Sequence, residues 1–89
     1  MDRDELERRL HALGASVADR LTVEQADWFA EFLNVDEFAL ALECLADWLS
    51  EDDAPISEGE LGEATLLAMA MGNADRVTGP LKLGPRPPG

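Results

Sequence analysis

The sequence predicts an all-α fold, a small four-helix bundle with helices at about 3–20, 23–34, 36–50 and 58–72 and an extended C-terminal tail. Three observations predict it. Apolar residues recur at steps of three and four through each of these segments, and no stretch alternates long enough to make a strand. Two tetrapeptides, Thr22-Val23-Glu24-Gln25 and Ser57-Glu58-Gly59-Glu60, have the form of capping boxes that open helices. Tyrosine is absent, aromatic residues make up 6% of the chain, and Ala and Leu dominate the apolar set, a composition of helices more than of strands. With 89 residues and 46% apolar composition the chain holds one core, in a helical domain over 1–75 followed by a Gly/Pro-rich tail over 76–89.

The first helix is marked by Leu6, Leu10, Leu13, Val17 and Leu21, a narrow apolar stripe. Gly14 lies inside it and costs roughly 1 kcal/mol against Ala, so the expectation is a continuous helix with a weak point there. His11 and the arginines fall off the stripe and face water. The second helix opens at the Thr22 cap and buries Ala26, Phe29 and Leu33, with Trp28 and Phe32 as further core candidates. It stops near Asn34, a residue type that accepts the left-handed conformation of helix ends.

The third helix, the most apolar, is the centre of the bundle: Phe38, Ala41, Leu42, Leu45, Trp48 and Leu49 recur at helical spacing, and Leu40 and Cys44 widen that surface. Asp36 and Glu37 are expected in its first turn, where the helix dipole favours them. The circumference left over carries Asp36, Glu43 and Asp47, followed just past the end by Glu51, Asp52 and Asp53. Pro55 then stops the chain from continuing as helix. The fourth helix runs from the Ser57 cap through Leu61, Ala64, Leu67, Ala68 and Met71 to Gly72, placed for a C-terminal cap. From Arg76 onward seven of fourteen residues are Gly or Pro, which reads as extended or disordered. The tetrads Ala26-Asp27-Trp28-Phe29 and Ala46-Asp47-Trp48-Leu49 are a coincidence of alanine-rich helices, not a duplication.

Charge narrows the function. The net charge is -12, and between Leu21 and Asp75 lie fourteen Asp or Glu and no Lys or Arg. Nucleic acid and anionic membranes are excluded as natural partners, because both need clustered cations. A basic protein surface is the complement, and opposite fields speed encounter with it. The highly charged start, MDRDELERRL, is not a signal peptide, and no segment approaches the ~20 apolar residues of a membrane span, so a cytoplasmic location is expected. A single Cys44 in an apolar helix is expected to be a buried, inert thiol.

The inventory for catalysis is thin: one His, one Cys and no Tyr, with no nucleophile–base pair at helical spacing. No metal or cofactor is expected either, since a lone His and a lone Cys cannot make a zinc site and the acidic connector lacks a calcium-wrapping loop. The chain is not expected to be an enzyme. Nor is it an acyl carrier protein, for Ser16, Ser50 and Ser57 follow Ala, Leu and Ile instead of standing in an Asp-Ser-Leu setting.

The run from Glu37 to Leu61, with Ala41-Leu42-Glu43, Leu45, Asp47, Leu49, Glu51 and Pro55-Ile56-Ser57, followed by Met71-Gly72, resembles the MafI-like family of bacterial immunity proteins. The likeness spans roughly Thr22 to Asn73. One departure is that the small turn residue expected before the third helix is Val35 or Asp36 here. The resemblance implies a cytoplasmic immunity protein that binds and neutralises the toxic C-terminal domain of a cognate secreted polymorphic toxin. It further implies a basic toxin domain such as a nuclease, ribonuclease or deoxyribonuclease, and a monomer acting in a 1:1 complex. The face that charge and periodicity pick out falls on the same stretch, so the expected partner-binding residues are Asp36, Glu37, Glu43, Asp47, Trp48, Glu51, Asp52, Asp53 and Glu58. Trp28 is a second candidate anchor if it is exposed. The competing reading is an acidic helical adaptor or regulatory module that binds a non-toxic basic protein or associates with itself.

Overall fold

The computed structural model describes residues 1–81, and these are all-α. Helices α1 (Arg3–Val17), α2 (Val23–Asn34), α3 (Phe38–Glu51) and α4 (Glu58–Met71) form a small bundle, and a short fifth helix, α5 (Ala74–Thr78), closes one side. In the bundle α2 packs on α3, α1 packs on both α2 and α4, and α5 lies against α4 and α3. Of the expected tail over 76–89, residues 82–89 lie outside the described residues. Its first part, however, is not extended: Arg76, Val77 and Thr78 belong to α5, and Val77 is fully buried.

The helix starts follow their local chemistry. Thr22 and Ser57 each accept from the backbone N–H three residues on, at 3.0 and 3.1 Å, while Gln25 and Glu60 accept from the cap N–H in return. Asp2 caps α1 through the Glu5 N–H at 2.8 Å. The first helix is shorter than its apolar stripe. It ends at Val17 and tightens into a 3-10 turn, Ala18–Arg20, as helix ends often do.

Three helix ends share one device that the sequence reading missed at two of them. Asp36, Asp53 and Gly72 all take left-handed backbone, with φ of 64°, 49° and 79°. Around each, the following N–H reaches back five residues in the Schellman pattern: Glu37 to Phe32 O at 2.8 Å, Ala54 to Leu49 O at 2.8 Å, and Asn73 to Ala68 O at 3.0 Å. Gly72 was expected there. Asp36 was expected inside the first turn of α3; instead it is the turn residue between α2 and α3, while Glu37 stands at the N-cap without a side-chain cap bond. The left-handed position therefore falls two residues after Asn34. Aspartate tolerates it because its short polar side chain eases the clash that excludes most L-residues.

The core joins Leu10, Leu13 and Val17 of α1 to Phe29 and Leu33 of α2, Leu42, Leu45 and Leu49 of α3, and Leu67 of α4. The helix runs unbroken through Gly14, which is also a packing site. A Cβ built there would stand 2.5 Å from Phe29 Cε2, so the Phe29 ring occupies the space a side chain would fill. Of the further core candidates on α2, Phe32 packs partly against the core, whereas Trp28 is 56% exposed.

Candidate functional site

The nine residues expected to bind a partner are spread along α3, its two flanking turns and the start of α4. Asp36 pairs with Arg3, whose guanidinium also stands over the Phe38 ring at 5.4 Å from the centroid, so it ties the start of α1 to the α2–α3 turn. Glu37 is exposed beside it. Glu51 and Asp52 are exposed at the far end of α3, about 21 Å away at 1.5 Å per residue. Asp53 holds the left-handed turn there, and Glu58 begins α4, where its charge suits the helix dipole.

The middle of the predicted strip is paired within the chain, with 37% of the Asp47 side chain left in water. α5 lies beside it. Arg76 donates to both carboxylate oxygens of Asp47, each at 2.9 Å, and Asn73 Nδ2 donates to Glu43 Oε2 at 3.0 Å. Arg76 also approaches Glu43 at 3.9 Å. The hydrogen bonds from Arg76 hold the Asp47 carboxyl below its usual range, against the opposing effect of burial. Trp48 is half-buried and packs against the core. Cys44, next to this contact, is half-buried. Burial and the nearby Asp47 and Glu43 carboxylates push its thiol up, away from the reactive thiolate.

A second ion-paired centre was not foreseen. Arg20, in the 3-10 turn, donates to Glu60 Oε1 at 2.6 Å and to Glu60 Oε2 at 2.7 Å. It also donates to Pro55 O at 2.9 Å, Ser16 O at 2.8 Å and Asp19 Oδ1 at 3.2 Å. Ser16 Oγ completes the group by donating to Glu60 Oε2 at 2.5 Å. The Arg20 hydrogen bonds, with help from Ser16 and the Ser57 N–H, hold the Glu60 carboxyl down to about 2. This cluster locks the end of α1, the α3–α4 connector and the start of α4 together. Its role is architectural.

The same pattern extends to every described cation. Arg8 faces Glu5, Arg9 faces Glu63 and Glu5, and Arg3, Arg20 and Arg76 are engaged as above. What remains is a set of carboxylates without an ion pair among the described residues. Three of them, Glu24, Asp27 and Glu31, lie on the outer face of α2. At 100° per residue this face points away from Phe29 and Leu33, which face the core. On it stands Trp28, with its ring stacked on Phe32 at 5.8 Å between centroids and 30° between planes, and Val35 follows two turns later, 54% exposed. Beside it a shallow groove between α1 and α2 is lined by Glu7, His11, Asp27, Ala30, Glu31 and Asn34. Trp28, a candidate both for the core and for a binding anchor, is thus on the exposed side, whereas the acidic residues beside it were not among the expected partner-binding set. The available signal was the register itself: 24, 28, 31 and 35 fall opposite 29 and 33.

Among the described residues no group of three or more His, Cys, Asp or Glu is placed to hold a metal ion, and no helix is long and apolar enough to cross a membrane. Fold and surface together define a small, acidic, all-α protein whose exposed chemistry is carboxylates beside aromatic and aliphatic surface. No family model matches the chain, and neither a curated protein nor a solved structure matches it significantly.

Proposed function

We propose that this chain is a stoichiometric binding protein for a basic protein partner, of the immunity kind, neutralising the toxic C-terminal domain of a secreted bacterial toxin inside the producing cell. One observation carries the binding part of this reading. The described cations are all engaged with carboxylates, and Glu24, Asp27, Glu31, Glu37, Glu51, Asp52 and Asp75 are left without an ion pair among the described residues, so the surface field is strongly negative. Such a field attracts a cationic surface and raises the encounter rate. The immunity part rests on the resemblance of the α3–α4 stretch to the MafI-like family. A nuclease is the favoured toxin because its phosphate-binding cleft is basic, and carboxylates can stand where phosphates would. The complex is 1:1 and buries a standard interface, on the order of 1,600 Å².

The test is to see whether the adjacent upstream reading frame encodes a large secreted protein and to co-express the terminal domain of that protein with this chain; a neighbour of any other kind would count against the immunity reading. Cells should survive the domain only when this chain is present, and the association rate of the purified pair should fall steeply as salt rises. A domain that is harmless on its own would refute the immunity reading, and an association rate indifferent to salt would refute the electrostatic one.

A second reading, self-association, is favoured by α4. Its outer side carries Leu66 at 47% and Met69 at 66% exposure, with Gly62 and Ala70 also exposed. Sedimentation equilibrium decides it, with a monomer across the micromolar range removing it.

A further inference from the structure

The outer face of α2 combines two features that are each ordinary alone. Its carboxylates Glu24, Asp27 and Glu31 have no cation of this chain to neutralise them among the described residues, and Trp28 leaves more than half its surface in water at the middle of that face. Apart from its stack on Phe32, a tryptophan placed there adds no contact to the core that Phe29 and Leu33 form on the inner side. Phe32 stacks against the Trp28 ring and holds its orientation, so little conformational freedom is left to lose on binding. Asp27 and Glu31, one helical turn apart, both reach the groove between α1 and α2.

Charge and shape select the occupant. A planar guanidinium is the cation that can lie on an indole face and donate two parallel hydrogen bonds to a carboxylate, whereas an ammonium is a compact, strongly hydrated point charge that does neither as well. We propose that the outer face of α2 is a docking surface for an arginine-bearing segment of a basic protein, in which Trp28 stacks on the guanidinium and Asp27 and Glu31 accept its hydrogen bonds. The proposal deepens the function above, resting on its reading of a basic protein partner, and it moves the contact from the α3 strip to α2.

The experiment uses the whole chain and two probes of equal charge, nona-arginine and nona-lysine peptides, followed by two-dimensional NMR. Nona-arginine should shift the Trp28 indole N–H and the amides of residues 24–31, and should bind about two- to fivefold more tightly than nona-lysine, the size of a cation–π contribution at an exposed site. Trp28→Ala should abolish that preference while leaving the helical circular dichroism unchanged, and Trp28→Phe should keep part of it. A double variant, Asp27→Asn with Glu31→Gln, should weaken both peptides and spare the fold. Equal affinity for the two peptides, or shifts confined to residues 51–58, would overturn the proposal. The cognate domain separates this outcome from that of the proposed function. Full protection of cells by Trp28→Ala would remove the docking surface and leave the immunity reading standing. Peptide binding at Trp28 without protection by the native chain would do the reverse.

Discussion

Two helices of this molecule, α2 and α3, present carboxylates one turn apart on a side that does not face the core, and the two faces have opposite fates. On α3, Glu43 and Asp47 are engaged by Asn73 and Arg76, at the start and in the body of α5. On α2, Asp27 and Glu31 have no ion-pair partner among the described residues, and Trp28 stands beside them in water. In a protein with net charge -12 an acidic strip is therefore weak ground for a binding surface. An Arg from a neighbouring segment can neutralise it within the chain. The exposed aromatic is the feature that distinguishes the face left over.

The largest test of this difference is Val77, the buried residue of α5. Val77→Ala removes about two methylene equivalents and leaves a cavity, for a loss of about 2 kcal/mol in denaturant unfolding. If α5 is what engages the α3 strip, the Asp47 carboxyl in this variant should rise toward its ordinary value, since the Arg76 hydrogen bonds that depress it are loosened. Carbon-detected NMR titration of Asp47 reads this directly. An unchanged Asp47 titration in a folded variant would mean that Arg76 holds its place without α5.

Arg20 comes next. It is the most engaged cation, and it serves the fold instead of the surface. Arg20→Ala leaves Glu60 largely buried without its main partner, and a loss of about 1–2 kcal/mol is expected, between the values for exposed and buried pairs. The pH dependence has a definite sign. Glu60 titrates near 2 in the folded chain against 4.5 ordinarily, so the unfolded chain takes up its proton first as pH falls. The stability this group contributes is complete above about pH 4.5 and is lost progressively down to about pH 2. In Glu60→Gln that acid-labile part should be missing, so the variant's stability should fall less steeply than wild type across this window. A parallel acid profile would show that the contact is not formed in solution.

The local features of this fold were legible in the sequence and the long-range ones were not. Thr22 with Gln25, Ser57 with Glu60, and Gly72 were readable because each cap acts on backbone a few residues away. The contact of Phe29 on Gly14 and the pairs of Arg20 with Glu60 and of Arg76 with Asp47 join residues 15 to 40 positions apart, and nothing local fixes which partner wins. α5 was hidden for a related reason. Five residues are too few to form a stable helix alone, so Ala74–Thr78 is helical only because Val77 is buried, and the Gly/Pro content that follows masked it. On α2 the register left Trp28 open as either a core residue or an anchor, and only its 56% exposure in the fold decides between them.

A direct comparison of the two faces uses matched charge reversals. Glu43→Lys with Asp47→Lys should set two new ammonium groups against Arg76 and lower stability by about 1 kcal/mol, a fall of roughly 4–8 °C in melting temperature for a chain of this size. Asp27→Lys with Glu31→Lys should stay within about 0.5 kcal/mol, because neither residue has an ion-pair partner to lose among the described residues. The binding effects should run the other way, with the α2 pair abolishing association with a basic partner and the α3 pair weakening it only through net charge. Equal stability of the two variants would erase the distinction between an engaged strip and an open one.

Asp36 is the finest test, because the residue belongs to the acidic inventory by its charge and to the fold by its backbone. With φ at 64° it occupies the left-handed position of the α2–α3 turn, and its side chain already pairs with Arg3. Asp36→Gly and Asp36→Ala both delete the carboxylate and that pair, so the difference between them isolates the backbone. The glycine variant should be the more stable by about 0.5–1 kcal/mol, since alanine must hold the same left-handed conformation against its Cβ. Association with a basic partner should be the same for both and close to wild type, because a carboxylate engaged by Arg3 at the turn adds little to a contact made by α2. If instead both variants lose binding alike while their stabilities differ as stated, the interface extends past Val35 onto the turn, and the open face of α2 is one end of a larger surface.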